Sequence, residues 1–500
     1  MNIILLIIDT LRYDHLGANQ EIEGGPEEGE KPIRTPNLDR LAERCWNFTN
    51  AYSASFPTIP HRTDVITGRY GAPFHPWKLL DCDVPTIPRI LAEEGYRSQL
   101  IHDTPHLVNG GHRFDYPFNA WKPVRGAEVD RAWFSDSWEY MDNWADDPLF
   151  EGYLEEMSRE EILKNHHALR LYSQTNRGRE REEEWNAAKL FRTGAQFLKD
   201  NAARENFFLW LDCFDPHEPW DAPPEYVKVY DDDPDFEGKI DPRSYYPQVR
   251  NDPGLPDQAK ERIKNTYKAK VTFMDRWLGE FLDEFERQGL DEKTALLLTA
   301  DHGTNVGDRE GHPFGKTNPP LENEAHVPLL LYVPGEGSGN CDSLVQPQDV
   351  FATLIEQGGA EIPQGTVGED LLKIAQGPLA GRDFALSGGS VDGWRGRDPE
   401  EGLFSVFDGK WCLRFAPKPE DCKLTERGDG EDVSEEHPQL AEGLYQEALA
   451  EIKFRGLDPA LVDWLESEGE KDLPQDFQIT DAHPAPPGWN GSYWNRPVEE

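Results

Sequence analysis

Positive charge is what this sequence has least of. Against 94 aspartates and glutamates stand 51 lysines and arginines, a formal net charge of -43 over 500 residues. A field of that sign repels phosphate backbones and anionic headgroups, so neither nucleic acid nor a membrane surface is an expected partner. Most of the acid reads as a solvated, solubilising surface, and an anionic substrate would need a locally positive pocket. Cysteine is also sparse. Cys45, Cys82, Cys213, Cys341, Cys412 and Cys422 show no CxxC or zinc-finger spacing, which excludes a metal knot and a disulfide framework and leaves reduced thiols. Long apolar runs are missing too: the opening "MNIILLIIDT" is too short to span a bilayer and has no basic flank or small-residue cleavage site, so a cytoplasmic location is expected. Disorder is excluded by 37% hydrophobic and 11% aromatic content.

What is present is an alternation of strand and helix signals. Ile3 to Ile8 is short, β-branched and continuous, the mark of a central strand buried on both faces of a parallel sheet, with Asp9 at its carboxyl end. The same grammar recurs in "TALLLTADHGTNVGD", where Ala295 to Thr299 runs into Asp301 and His302. It recurs again in "NFFLWLDCFDPHEPW", where Phe207 to Leu211 feeds a loop bearing His217. Helix-like stretches at Pro36 to Arg44, Thr86 to Glu94 and Arg262 to Gln288 lie between them. The expected architecture is an α/β/α sandwich with a mostly parallel sheet over residues 1–370, followed by a smaller α+β unit with an antiparallel sheet over 371–500. Residues 20–32 read as a surface loop and 122–205 as a mostly helical insertion shaping the pocket. "GLFSVFDGKWCLRF" reads as a hairpin with an Asp-Gly turn, "HPQLAEGLYQEALAEI" as a helix, and the stretch beyond 473 as an irregular arm.

Ligands of open α/β sheets bind at the carboxyl ends of the strands. Asp9, Asp301 and His302 therefore fall along one sheet edge, where two carboxylates and an imidazole suit a shared cation, and such an ion also favours deprotonation of a nearby hydroxyl. Thr58, in "SFPTIPHRTDVITGRYG", offers that hydroxyl at a helix start; Arg62, one turn on and on the same face, offers paired hydrogen bonds to a tetrahedral anion.

Six motifs in order, "IIDTLRYDHLG", "TIPHRTDVITGRYG", "FDPHEPWDAPPEY", "DHGTNVGD", "GKTNPPLENEAHVPLLLYVPG" and "QPQDVFATLIEQGG", resemble those of the sulfatases within the alkaline phosphatase superfamily over nearly the whole chain. The resemblance implies a hydrolase of ester bonds with Thr58 at the nucleophile position, two residues before Pro60 and four before Arg62. Sulfatases carry a cysteine or serine there that becomes formylglycine; threonine cannot, so no formylglycine is expected. Threonine serves as nucleophile in related phosphodiesterases and phosphonoacetate hydrolases. "GYRSQLIHDTPHLV" stands where many sulfatases have a Gly-Lys-Trp-His segment, and looks more like phosphonate monoester hydrolases.

The expected reaction is thus cleavage of a small anionic phosphodiester or phosphonate monoester through a Thr58 ester. The alternatives are a sulfuric ester hydrolase working without formylglycine and, in another class, a silent anion-binding protein. The resemblance implies Asp9, Asp301 and His302 as metal ligands, joined by Thr58 and by Thr10, which stands where an aspartate or glutamine is often found. It implies one divalent ion, Mn2+ or Zn2+ ahead of Ca2+. Lys316 matches a lysine on the transferred group and His217 a proton donor near the leaving group, while His102, Asp103, Thr104, His61 and His312 are weaker substrate-binding candidates. Association into homo-oligomers is left open.

Overall fold

A computed structural model describes residues 1–26, 29–109, 111–131, 144–154, 161, 166–307, 314–394, 401–427 and 430–467. His312, the arm beyond 473 and part of the 122–205 segment lie outside the described residues.

Eight strands form the main sheet: β1 (Asn2–Ile8), β2 (Trp46–Ala51), β3 (Arg97–His102), β4 (Ala120–Pro123), β5 (Phe207–Cys213), β6 (Thr294–Ala300), β7 (Leu329–Tyr332) and β8 (Gly339–Val345). Their spatial order is β4-β3-β5-β1-β6-β7-β2-β8. β1 lies in the middle, parallel to β5 and to β6; only β7 runs against its neighbours. All seven residues of β1, of β5 and of β6 are buried, which explains their unbroken apolar sequence. Register then does the placing. Ile8 is opposite both Cys213 and Ala300, so Asp9, Phe214 and Asp301 leave the sheet side by side.

Helices cover the sheet. Asn186–Asn201 packs on Asp257–Arg287 and on β3 and β5, while Thr58–Thr67 packs on Pro347–Gln357. The second contact is close: a Cβ on Gly68, which ends Thr58–Thr67 at φ 62°, would meet the Phe351 ring at 2.3 Å. Two boundaries differ from expectation. The long helix begins at Asp257 rather than Arg262, directly after Pro256, which has no N–H for a preceding turn. The segment expected as an insertion from 122 begins inside β4, and its helix Asn186–Asn201 belongs to the layer on the main sheet.

The second sheet is antiparallel, in the order β12-β11-β10-β9, from β9 (Ala385–Ser387), β10 (Phe404–Phe407), β11 (Trp411–Phe415) and β12 (Lys423–Glu426). It has its own core, in which Leu386, Phe404, Val406, Leu413 and Phe415 meet Tyr445, Ala448 and Ile452 of helix Pro438–Phe454 and Leu461 and Leu465 of helix Pro459–Glu466. The expected Asp-Gly turn is a Gly-Lys turn in the structure. Gly409, at φ 89°, and Lys410 form the two-residue loop, and Asp408 anchors it by accepting from the backbone N–H groups of Lys410 and Trp411 at 2.9 and 2.6 Å. Leu371, Leu372 and Ile374 pack with the larger core. Among the described residues no helix is long and apolar enough to cross a membrane.

Candidate active site

At the carboxyl edge of β1 and β6, Asp9, Asp301 and His302 are buried, and one potential ligand atom from each lies within 4.8 Å of the others. Burial and the facing Asp301 carboxylate push the pKa of Asp9 well up. Burial works against Asp301 as well, but His302 and Arg62 hold its pKa down. Two opposed carboxylates this deep are stable only with a proton or a cation between them. His302 is ready as a ligand. Burial lowers its pKa to about 4, its Nδ1 donates to the Gly303 carbonyl at 2.8 Å, and its buried Nε2 has no hydrogen-bond partner. The orphaned nitrogen and the donor set both fit a divalent ion.

Thr10 engages both carboxylates: its N–H donates to Asp301 Oδ1 at 3.0 Å and its hydroxyl to Asp9 Oδ1 at 2.8 Å. Its φ of 62° is rare for a β-branched residue. The conformation is held by Tyr267, whose hydroxyl donates to the Thr10 carbonyl at 2.8 Å and accepts from Arg12 N–H at 3.1 Å.

Thr58 is the first residue of its helix and is buried; Arg62 follows one turn later with no exposed surface. The Arg62 guanidinium has five N–H groups, and the protein accepts five hydrogen bonds from it. Nε and Nη2 grip Asp212 at 2.8 and 2.9 Å, Nη2 also reaches Asp9 at 3.1 Å, and Nη1 reaches Asp301 at 2.6 Å and the Thr58 carbonyl at 3.1 Å. The expected clamp on a tetrahedral anion has no donor left over in this arrangement.

Across from the carboxylates, Lys316 donates to Glu218 Oε2 at 2.8 Å and to His217 Nε2 at 3.1 Å. Burial alone would drive Lys316 towards neutrality, yet the Glu218 carboxylate keeps its pKa above the ordinary lysine value. Burial and the Lys316 charge push His217 down to about 3. The imidazole is therefore neutral, with Nδ1 donating to the Glu218 carbonyl at 2.9 Å and its ring stacked on Phe214 at 4.2 Å. The proton at this end belongs to lysine. Arg250 completes the group, 3.6 Å from Glu218 Oε1.

The weaker candidates lie behind this surface. His102 Nδ1 bonds the Thr104 carbonyl at 3.0 Å, Asp103 accepts from Phe214 N–H at 2.7 Å, and the Thr104 hydroxyl donates to Asp212. His61, pushed by burial down to about 3, borders a cavity with Tyr52, Thr299 and Val350 on the core side of its helix. Asp212, Glu218 and Arg250 were not anticipated. Asp212 carried a signal, an acid inside a buried apolar run; Glu218 and Arg250 carried none.

The sulfatase family model matches residues 1–360. The chain is 25% identical over 428 residues to an arylsulfatase of Clostridium perfringens, covering 75% of this chain and 78% of that protein. It is 24% identical over 415 residues to a multifunctional alkaline phosphatase superfamily protein of Trinickia caryophylli, covering 75% and 77%. Among solved structures, a phosphonate monoester hydrolase from Silicibacter pomeroyi shares the fold, with a TM-score of 0.67 at 20% identity over 91% of this chain and 95% of that one. A family match over more than two thirds of the sequence, on a sheet edge carrying an acid–acid–histidine group, makes this chain a member of the sulfatase family and an ester hydrolase.

Proposed function

We propose that the protein cleaves phosphodiesters or phosphonate monoesters, with Thr58 as nucleophile and Lys316 as the proton donor to the leaving oxygen. The observation that carries this reading is the link through Arg62, whose Nη1 bonds both the Thr58 carbonyl and Asp301, tying the hydroxyl-bearing helix start to the metal-ligand carboxylates. Asp9, Asp301 and His302 would hold a divalent ion, which would supply Lewis-acid stabilisation of charge on the transferred group; an imidazole in the donor set would favour manganese or zinc, with calcium as the alternative. Thr58 Oγ1 releases its proton to solvent as it bonds to phosphorus, the bond to the leaving oxygen breaks, and that oxygen takes a proton from Lys316, which solvent then reprotonates. Neutral His217 accepts from Lys316 and aims it. Water then cleaves the phosphothreonine, restoring the hydroxyl and releasing the free acid.

The relatives support a second reading, sulfate-ester hydrolysis by unmodified threonine, since an arylsulfatase and a phosphonate monoester hydrolase stand beside each other among them. Matched nitrophenyl sulfate, phosphate monoester, phosphodiester and phosphonate esters, each assayed with manganese, zinc and calcium, separate the two. Phosphodiester or phosphonate turnover should dominate, and Thr58→Ala should lose it by several orders of magnitude while keeping the fold. Dominant sulfate turnover, or a fully active Thr58→Ala, overturns the proposal.

A further inference from the structure

We propose that Asp212 is a positioning residue that turns Arg62 away from the substrate, and that the site thereby takes a transferred group of single negative charge rather than two. This rests on the reading of the active site above, but not on whether phosphorus or sulfur is transferred.

The geometry is closed on both sides. Asp212 lies on β5, in register with Ile7 of β1 and His102 of β3, and has no exposed surface. Its Oδ1 accepts from Arg62 Nη2 at 2.9 Å and from the Thr104 hydroxyl; its Oδ2 accepts from Arg62 Nε at 2.8 Å and Trp210 Nε1 at 3.0 Å. Four donors fill the four lone-pair directions of the carboxylate. The fork on Nε and Nη2 fixes the guanidinium plane, because paired Arg–carboxylate bonds allow little rotation. The opposite edge is then forced onto Asp9 and Asp301. Trp210 and Asp212 share one face of the strand, so the orientation is built into the sheet.

Charge follows from position. Asp9, Asp212 and Asp301 contribute three negative charges; Arg62 returns one and a divalent ion two, leaving the carboxylate end neutral. On the other side Lys316 and Arg250 face Glu218. One positive charge remains uncompensated while Glu128, pushed up to about 7 by burial and lying beside Tyr245 and His106, keeps its proton. A sulfate ester, phosphodiester or phosphonate monoester brings one negative charge to this buried place and is matched. A phosphate monoester dianion brings two, and an unmatched buried charge is strongly disfavoured.

The test is Asp212→Asn in the full chain, with Thr104→Val as the milder variant that keeps the carboxylate but removes one of its donors. The reading is kcat/KM for nitrophenyl phosphate divided by that for whichever singly charged nitrophenyl ester the wild type turns over best. A second reading is the affinity of the metal-stripped protein for manganese and zinc, by competition with a chelator. Asp212→Asn removes one buried negative charge and loosens the grip on Arg62, so the ratio should rise tenfold or more, and metal binding should weaken by about tenfold. Thr104→Val should move the ratio the same way, two- to fivefold, without changing metal affinity; it decides the matter should the asparagine variant not fold. A wild type that prefers the dianion, or a ratio unchanged in folded variants, overturns the inference. Unchanged metal affinity in Asp212→Asn overturns it even for a wild type inactive on every ester. Sulfate preference in the wild type would defeat the phosphorus reading of the function and leave this one standing.

Discussion

The two ends of the active site are built on different supports. Asp9, Asp301 and His302 are the first residues beyond β1 and β6, and their spacing is set by the hydrogen-bond register of three fully buried parallel strands. His217, Glu218 and Lys316 come from loops, and they are placed by each other: lysine on glutamate, lysine on imidazole, imidazole on Phe214. A sheet edge tolerates no adjustment without moving the core, whereas loop residues re-aim together. On the proposed mechanism the rigid end suits the invariant part of the reaction, the tetrahedral centre, and the adjustable end would face the leaving group, which differs between substrates.

The largest effect should come from breaking the rigid end. His302→Ala removes the nitrogen donor of the candidate metal site, and metal affinity should fall by more than the roughly 10–100-fold typical of losing an outer-sphere partner. Turnover should drop to background at ordinary metal concentrations. Metal titration of the stripped protein checks this, and near-normal affinity would show that the sheet edge is not the metal site. Exhaustive chelation of the wild type should likewise abolish activity, with recovery on adding manganese or zinc.

Lys316→Ala should come next, a loss of roughly 10²–10⁴ in kcat for substrates whose leaving oxygen needs a proton. For nitrophenyl esters, whose leaving group departs as a stabilised anion, the loss should be much smaller. A kcat series over leaving groups of rising basicity measures the difference. Equal losses across the series would place Lys316 on the transferred group and give both ends the same task.

How far each end could be read from sequence follows from the same contrast. β1 and β6 announce themselves as unbroken apolar runs, and an acid directly after such a run is visible by eye, so Asp9 and Asp301 were legible with the fold itself. Asp212 was missed because the apolar run stops at Leu211. Hydrogen bonding to β1 and β3 carries the strand on to Cys213, which puts the acid inside the sheet, where only a buried cation makes it stable. The donors of Arg62 are hidden from the sequence for the same reason: how many are left for an anion depends on acceptors on and just beyond β1, β5 and β6, far apart in sequence. Glu218 sits between His217 and Pro219 with no spacing to mark it, and Arg250 lies in a stretch without periodicity. Both acquire meaning only through the fold.

Glu218→Gln tests the mutual placement at the loop end through pH. Glu218 is the main group raising the Lys316 pKa; Asp9 and Glu128 raise it less, while neutral His217 accepts a hydrogen bond. Removing the carboxylate charge should lower that pKa, so Lys316 loses its proton earlier as pH rises. The alkaline limb of the kcat profile should move to lower pH by about one pH unit or more. An unmoved limb would mean that Lys316 is not the group titrating there.

Arg250→Ala should have the smallest effect. At 3.6 Å from Glu218 Oε1 the guanidinium is a charge neighbour without a hydrogen bond, and Glu218 retains its 2.8 Å contact with Lys316 when Arg250 is gone. Because Glu218 keeps a hydrogen-bonded cation, no buried charge is left unpaired, and the change should be about fivefold or less. The change should fall on KM, because Arg250 adds to the field that draws the anion in but donates nothing to Lys316 or His217. A tenfold or greater fall in kcat would show that Lys316 depends on Arg250 for its position, and the loop end would then be a cooperative unit as strictly assembled as the sheet edge it faces.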